Sequence, residues 1–180
     1  HHFGQNILPP IIPQLKEQIS NEDFVLVYLP WEDPKLIESV LNKISNKIFY
    51  VYGHTSKKTL RGNIRWKPFS RSGFIADLES CNGVLCNAGF ELTSECLSLN
   101  KKIMVKPVMS QVEQLSNIKA LDSLGLASTT NKITTAIVSD WIENDSKSLL
   151  PYFNVVDPVV DWIESGNFDD INCLKKKVWI

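Results

Sequence analysis

Two short apolar runs, each followed at once by a polar turn and a helical pattern, constrain this chain more than any other feature. From Ser80 the sequence reads SCNGVLCNAGFELTSECLSLNKKIMVKPVMSQVEQ. Gly83 to Cys86 predicts a strand that runs into Asn87-Ala88-Gly89, after which a helix carries Thr93, Ser94 and Glu95. Ile103 to Val105 predicts a second strand ending near Pro107, and the next loop delivers Ser110, Gln111, Glu113 and Gln114 into another helix. Both turns then leave the carboxyl ends of neighbouring parallel strands, where open α/β sheets bind ligands. A glycine just ahead of a helix allows close backbone approach. It also leaves N–H groups free at the positive end of a helix dipole, a combination that suits phosphate.

The rest of the chain repeats the alternation. Phe24 to Leu29 is a continuous apolar run, expected as a central parallel strand buried on both faces. Asp33-Pro34 places an N-cap ahead of a proline at the first helical position, and Leu36, Ile37, Val40, Leu41 and Ile44 form one apolar face. Ile48 to Tyr52 is the second strand, ended by Gly53, and the βαβ crossover is right-handed by rule. His54 to Gly62 is read as a polar, basic loop, Asn63 to Trp66 as a short strand and Phe74 to Ser80 as a short helix. The helix expected from Gln111 to Leu124 turns Val112, Leu115, Ile118 and Leu121 inward and stops at Gly125. Further helices are expected from Asn131 to Asn144 (burying Ile133, Ile137 and Trp141), from Asp157-Pro158 to Gly166, and from Phe168 to Lys177. The predicted class is α/β, a Rossmann-like parallel sheet flanked by helices.

Composition narrows the function. A length of 180 residues with 43% hydrophobic residues fits one domain with a good core. A net charge of −1, mixed along the chain, gives no basic face for nucleic acid. No apolar run approaches the ~20 residues of a membrane span, and no signal peptide is visible. Cys81, Cys86, Cys96 and Cys173 lack CxxC spacing and read as reduced thiols of a cytoplasmic protein. With His1 and His2 set aside as a tag remnant, His54 is left as the one histidine, so no metal site is expected. Leu8-Pro9-Pro10-Ile11-Ile12-Pro13 reads as a linker. The expected division is therefore 1–13 tag remnant and interdomain linker and 14–180 a binding domain.

The ordered set Asn87, Gly89, Thr93, Ser94, Glu95, Pro107, Glu113, Gln114 and Asn117 resembles the donor-nucleotide signature of GT-B glycosyltransferases of the UDP-glycosyltransferase and MurG-like kind. It is closest to a bacterial and archaeal group of them, and covers roughly Phe24 to Leu126. The resemblance implies one half of a GT-B fold, the C-terminal, donor-binding domain. The acceptor domain and the catalytic base then lie elsewhere, in a chain cut at the linker or in a separate partner chain.

It also implies roles. Glu95 would accept hydrogen bonds from both ribose hydroxyls; by position alone it is a solvated helix glutamate. Thr93 and Ser94 would offer hydroxyls to a diphosphate, or else serve the helix as caps. Asn87 stands where many relatives carry a diphosphate-binding His and brings no positive charge. Lys57, Lys58 or Arg61 could supply it, though each also reads as part of a solvated loop. Gln111, Glu113 and Gln114 would read donor-sugar hydroxyls, or form an ordinary polar helix start. Trp66 and Phe69, flanking Pro68, would stack on the base or else be buried at a strand end. One departure stands out. The first strand ends in Leu29-Pro30-Trp31-Glu32-Asp33, where proline lacks an N–H donor and two acids repel phosphate.

The expected activity is sugar transfer from a UDP-sugar to an acceptor with inversion. It needs no cofactor beyond the nucleotide-sugar substrate, and no turnover is expected of the isolated domain. Membrane contact, if any, is assigned to the acceptor domain. The alternatives are a half-domain of a sugar-nucleotide epimerase or hydrolase, and a non-catalytic, flavodoxin-like protein-binding module.

Overall fold

The computed structural model describes residues 8–13, 23–53, 55, 57–144, 154–166, 168 and 171–179. His1, His2 and His54 lie outside the described residues. In chain order the elements are β1 (Phe24–Tyr28), α1 (Pro34–Leu41), β2 (Ile48–Tyr52), β3 (Thr59–Arg61), β4 (Ile64–Lys67), α2 (Arg71–Ser80), β5 (Gly83–Asn87), α3 (Phe90–Ser98), β6 (Lys102–Lys106), α4 (Val112–Ser123), β7 (Ser128–Thr129), α5 (Thr135–Glu143), α6 (Val156–Ser165) and α7 (Ile171–Val178). The sheet order is β3-β4-β2-β1-β5-β6-β7, parallel throughout except for β3, which runs antiparallel to β4.

The chain winds outward from β1 to β2 and β4, then returns to lay β5 on the other side of β1 and continues to β6 and β7. The reversal opens a crevice at the carboxyl ends of β1 and β5, the topological switch point. β1, β2, β5 and β6 bury both faces, as their apolar runs require. Val25, Val27, Phe49, Val51, Ile64, Leu85 and Met104 pack against α1 and α5 through Ile37, Val40, Leu41, Val138 and Trp141. Phe24, Leu26, Tyr50, Val84, Cys86, Ile103 and Val105 pack on the other side against α2, α3 and α4 through Leu78, Cys96, Leu97 and Leu121. A smaller cluster of Val155, Leu174 and Val178 joins α6 to α7, and Leu8 from the proline-rich stretch packs on it. No described helix is long and apolar enough to cross a membrane.

Several sequence expectations shift. The basic stretch ahead of Asn63 is not all loop, because Thr59–Arg61 pairs with β4 through a two-residue turn, Gly62-Asn63. Gly62 has φ 64°, the left-handed conformation such tight hairpins demand. Its three residues, Thr59, Leu60 and Arg61, are all exposed and form no apolar run. Val112, expected to face inward, is 80% exposed, because the first turn of α4 overhangs the carboxyl edge of the sheet. The helix expected from Asn131 begins at Thr135, where the Thr134 hydroxyl accepts from the Ile137 N–H. Ahead of it, β7 adds a two-residue strand with no apolar run of its own. The final helix runs from Ile171 to Val178 rather than from Phe168 to Lys177.

Candidate active site

The two turns singled out in the sequence stand side by side on one edge of the sheet, since β5 and β6 pair in register from Gly83↔Lys102 to Asn87↔Lys106. Gly89 is the N-cap of α3 and makes no side-chain cap hydrogen bond. Its φ of −70° is open to any residue, so backbone strain does not require glycine here. A Cβ at this position meets nothing within 4 Å. The space beside Gly89 is therefore open, and no side chain caps the first N–H groups of the helix.

Hydrogen bonds to neighbouring groups hold this turn in place. Asn117 on α4 donates through Nδ2 to the Ala88 carbonyl at 3.0 Å. Asn87 Nδ2 donates to the Lys106 carbonyl, also at 3.0 Å. The Oδ1 of Asn87 is buried without a hydrogen-bond partner, although the residue is only 7% exposed. Buried acceptors are normally paired, so this one is set to receive a donor. Phe90, Glu113, Ser116 and Asn117 line a cleft of about 400 Å³ between the start of α3 and α4.

Along α3, the Thr93 hydroxyl is buried and donates to the carbonyls of Gly89 (2.7 Å) and Phe90 (3.0 Å), while Ser94 Oγ donates to the Phe90 carbonyl at 2.8 Å. Both hydroxyl protons are turned back onto helix carbonyls. Glu95 is half-buried, and burial raises its carboxyl pKa above the ordinary range. Glu91 one turn earlier adds to the rise and Arg71 opposes it. A partly desolvated carboxylate with little compensation is a ready acceptor for paired O–H donors.

The second turn is internally wired. Gln114 is buried; its Oε1 accepts from the Val108 N–H at 2.9 Å and its Nε2 donates to Gln111 Oε1 at 2.6 Å. These bonds fix the shape of the β6–α4 loop and leave exposed Glu113 as the side chain facing the cleft. Trp66 and Phe69 lie on opposite sides of the sheet edge. Trp66 is buried in the α1 layer and its indole N–H donates to Glu38 Oε1 at 3.0 Å. Phe69 is exposed at the end of β4, edge-on to Tyr28 with ring centroids 5.4 Å apart. Lys57 and Lys58 are exposed on the approach to β3, and Arg61 is held by both carboxylate oxygens of Glu38 at 2.9 and 3.0 Å.

The acids after β1 are not open charges. Asp33 caps α1, accepting from the Lys35 N–H at 2.9 Å. Glu32 pairs with Lys106 Nζ at 2.5 Å, and both side chains are only 13% exposed. Sequence reasoning passed over Lys106. Its signal was a lysine closing an otherwise apolar strand, directly before Pro107. Among the described residues no group of three His, Cys, Asp or Glu side chains is placed to hold a metal ion.

The doubly wound half-sheet has the fold of a GT-B glycosyltransferase domain, and solved structures share that fold. The glycosyltransferase SnogD from Streptomyces nogalater superposes with a TM-score of 0.53 at 16% identity, over 76% of this chain and 37% of its own. A glycotransferase of kitacinnamycin gives 0.55 at 16% identity, over 90% of this chain and 43% of its own. The spinosyn rhamnosyltransferase SpnG complexed with thymidine diphosphate gives 0.51 at 11% identity, over 75% and 41%. The chain thus spans about two fifths of the length of these enzymes. No curated protein sequence matches it. The family model described as glycosyl transferase family 1 matches residues 4–145, and the chain belongs to that family.

Proposed function

We propose that this chain is the donor-binding, C-terminal domain of a glycosyltransferase that moves a sugar from a pyrimidine nucleoside diphosphate sugar, in the first instance a UDP-sugar, to an acceptor held by another domain, releasing the nucleoside diphosphate. The observation that carries the reading is the uncapped start of α3 at the switch point, with open space at Gly89 and a half-buried Glu95 farther along the same helix. The diphosphate would sit against the first N–H groups of α3, and the ribose hydroxyls would donate to Glu95. Phe69 offers the exposed aromatic face for the base, and Glu113 an acceptor for the sugar at the cleft. Thr93, Ser94, Gln111 and Gln114 would act mainly by shaping the two turns, and Trp66 as buried support, given the bonds they already make. The thymidine diphosphate complex of SpnG makes dTDP the natural competitor of UDP.

In this mechanism the domain stabilises the leaving group. Charge builds on the diphosphate as the glycosidic bond breaks, and fixed N–H dipoles stabilise that charge without reorganising. The acceptor would be deprotonated by a base on the second domain and attack from the face opposite the diphosphate, inverting the anomeric carbon. Trp31, Phe69, Phe90, Met109 and Val112 are all exposed, and all lie in or beside turns at the carboxyl edge. This apolar rim supports a second domain closing over the site, as does the two-fifths coverage of the related structures. The domain alone would bind nucleotide without turnover.

Calorimetric titration with UDP, dTDP, ADP and GDP, repeated on Glu95→Ala, tests the reading. A pyrimidine preference that disappears in the variant supports it. Binding insensitive to Glu95→Ala refutes the ribose assignment, and absence of binding by the full two-domain protein refutes the donor site.

A further inference from the structure

Resting on the reading that a nucleoside diphosphate binds at this edge, we propose that Lys106 is the cation that receives the diphosphate, and that Glu32 holds its place in the ligand-free protein. The sheet order carries the first part. Lys106 ends β6 and Glu32 follows β1, with β5 between them. Their ion pair therefore bridges the two strands that flank β5, at its carboxyl end. Lys106 and Asn87 are register partners and share the sheet face of Leu85 and Met104. That is the α1 side of the sheet, opposite α3, so the ammonium stands at the carboxyl end of β5 across the strand from the open helix start, where Asn87 itself brings no charge.

The chemistry of the pair carries the second part. Both partners are largely buried, and a two-member buried ion pair adds little stability once desolvation is counted. An ammonium has three donors, and Glu32 takes one. A diphosphate offers more charge and more oxygens than one carboxylate, so it competes for the same nitrogen. It has no donor to give the unpaired Asn87 Oδ1, whereas an ammonium shared between phosphate and Asn87 satisfies both. Glu32 is then a built-in competitor that sets how tightly the site holds its anion. This also accounts for acids beside a phosphate site without requiring them to repel the ligand.

The test is calorimetry of inorganic pyrophosphate, UDP and uridine with the wild-type chain, Glu32→Gln and Lys106→Gln. Pyrophosphate and UDP should bind about tenfold tighter to Glu32→Gln and about tenfold weaker to Lys106→Gln, with uridine unchanged. A gain of affinity in Glu32→Gln is not produced by misfolding, so the proposal stays testable even if Lys106→Gln unfolds. Equal UDP affinity in wild type and Glu32→Gln would overturn the proposal and leave the nucleotide site standing. Pyrophosphate following the pattern while UDP binds no tighter than pyrophosphate would keep the role of Lys106 and remove the nucleotide reading. Binding of neither ligand to wild type or Glu32→Gln would overturn both.

Discussion

The turn after β1 and the turn after β5 occupy equivalent places on either side of the switch point, yet they finish their electrostatics in opposite ways. After β1, proline removes one N–H donor, Asp33 satisfies the start of α1 with its own carboxylate, and Glu32 is neutralised by Lys106. After β5, glycine gives α3 no side-chain cap and leaves space in front of its N–H groups. A helix start that its own chain has capped is a structural joint; one left open is a place for an anion. The same local plan, strand to turn to helix, closes the helix start in one copy and, in the function proposed above, leaves it open for an anion in the other.

Exchanging the two designs gives the largest expected effect. Gly89→Asp transplants the β1-side cap to α3. The new carboxylate should accept from the helix start and repel phosphate, lowering UDP affinity at least about tenfold while raising stability by a few tenths of a kcal/mol. Calorimetry beside a thermal melt reads both; unchanged binding would mean that the open helix start is not the anion site. The converse change, Asp33→Ala, should cost about 1 kcal/mol, lowering Tm by about 2–4 °C, with nucleotide affinity preserved. A loss of affinity there would erase the division between joint and site.

Glu95 gives a smaller, pH-dependent effect. Because burial raises its folded pKa, the native state holds its proton more tightly than the unfolded chain. Ligand-free stability should therefore fall as pH rises through the interval between the unfolded and folded values. Glu95→Gln should lose that part of the slope and melt higher than wild type at neutral pH, the two converging in acid. The same variant should bind UDP more weakly, having one acceptor oxygen in place of two. Melts across pH, with and without UDP, check both signs.

The smallest effect belongs to the opposite edge. Asp23 sits just ahead of β1, where Lys47 and the Asn82 amide clasp it. The Lys47 contact, with burial opposing and Asn82 assisting, holds its carboxyl below the usual value. This contribution is present above the unfolded pKa and is lost as pH falls through the folded one. Asp23→Asn should cost at most about 1 kcal/mol at neutral pH, as expected for a well-exposed pair, and leave UDP binding unchanged. An effect on binding would show that the two edges are coupled.

Much of this molecule was legible along the chain. Uniformly apolar runs at β1, β2, β5 and β6 specify strands buried on both faces, because a strand with one wet face has to alternate. Asp33-Pro34 and Gly166 marked helix ends through local backbone chemistry, and Gly166 adopts the left-handed conformation expected of a stop. β3 was less legible, since an edge strand is held by pairing and its three exposed residues, with Leu60 alone apolar, form no apolar run. β7 was hidden for the same reason, being two residues long and defined by its partner. Val112 followed the helical period but misled, because periodicity describes a face and says nothing of where the sheet beneath it ends.

For the site, the sequence by itself determined which residues could matter: a turn, a glycine, a glutamate on the following helix and a polar helix start, all within one stretch. Tertiary structure decided what each is able to do. It put Trp66 and Phe69 on opposite sides of an edge, spent the side chain of Gln114 on its own loop, and brought Glu32 within reach of a lysine 74 residues away. The reason is physical. Capping, turn conformation and burial pattern arise between near neighbours, so a linear reading finds them. The partner of a charge or of a buried amide depends on strand order, which packing of the whole chain sets.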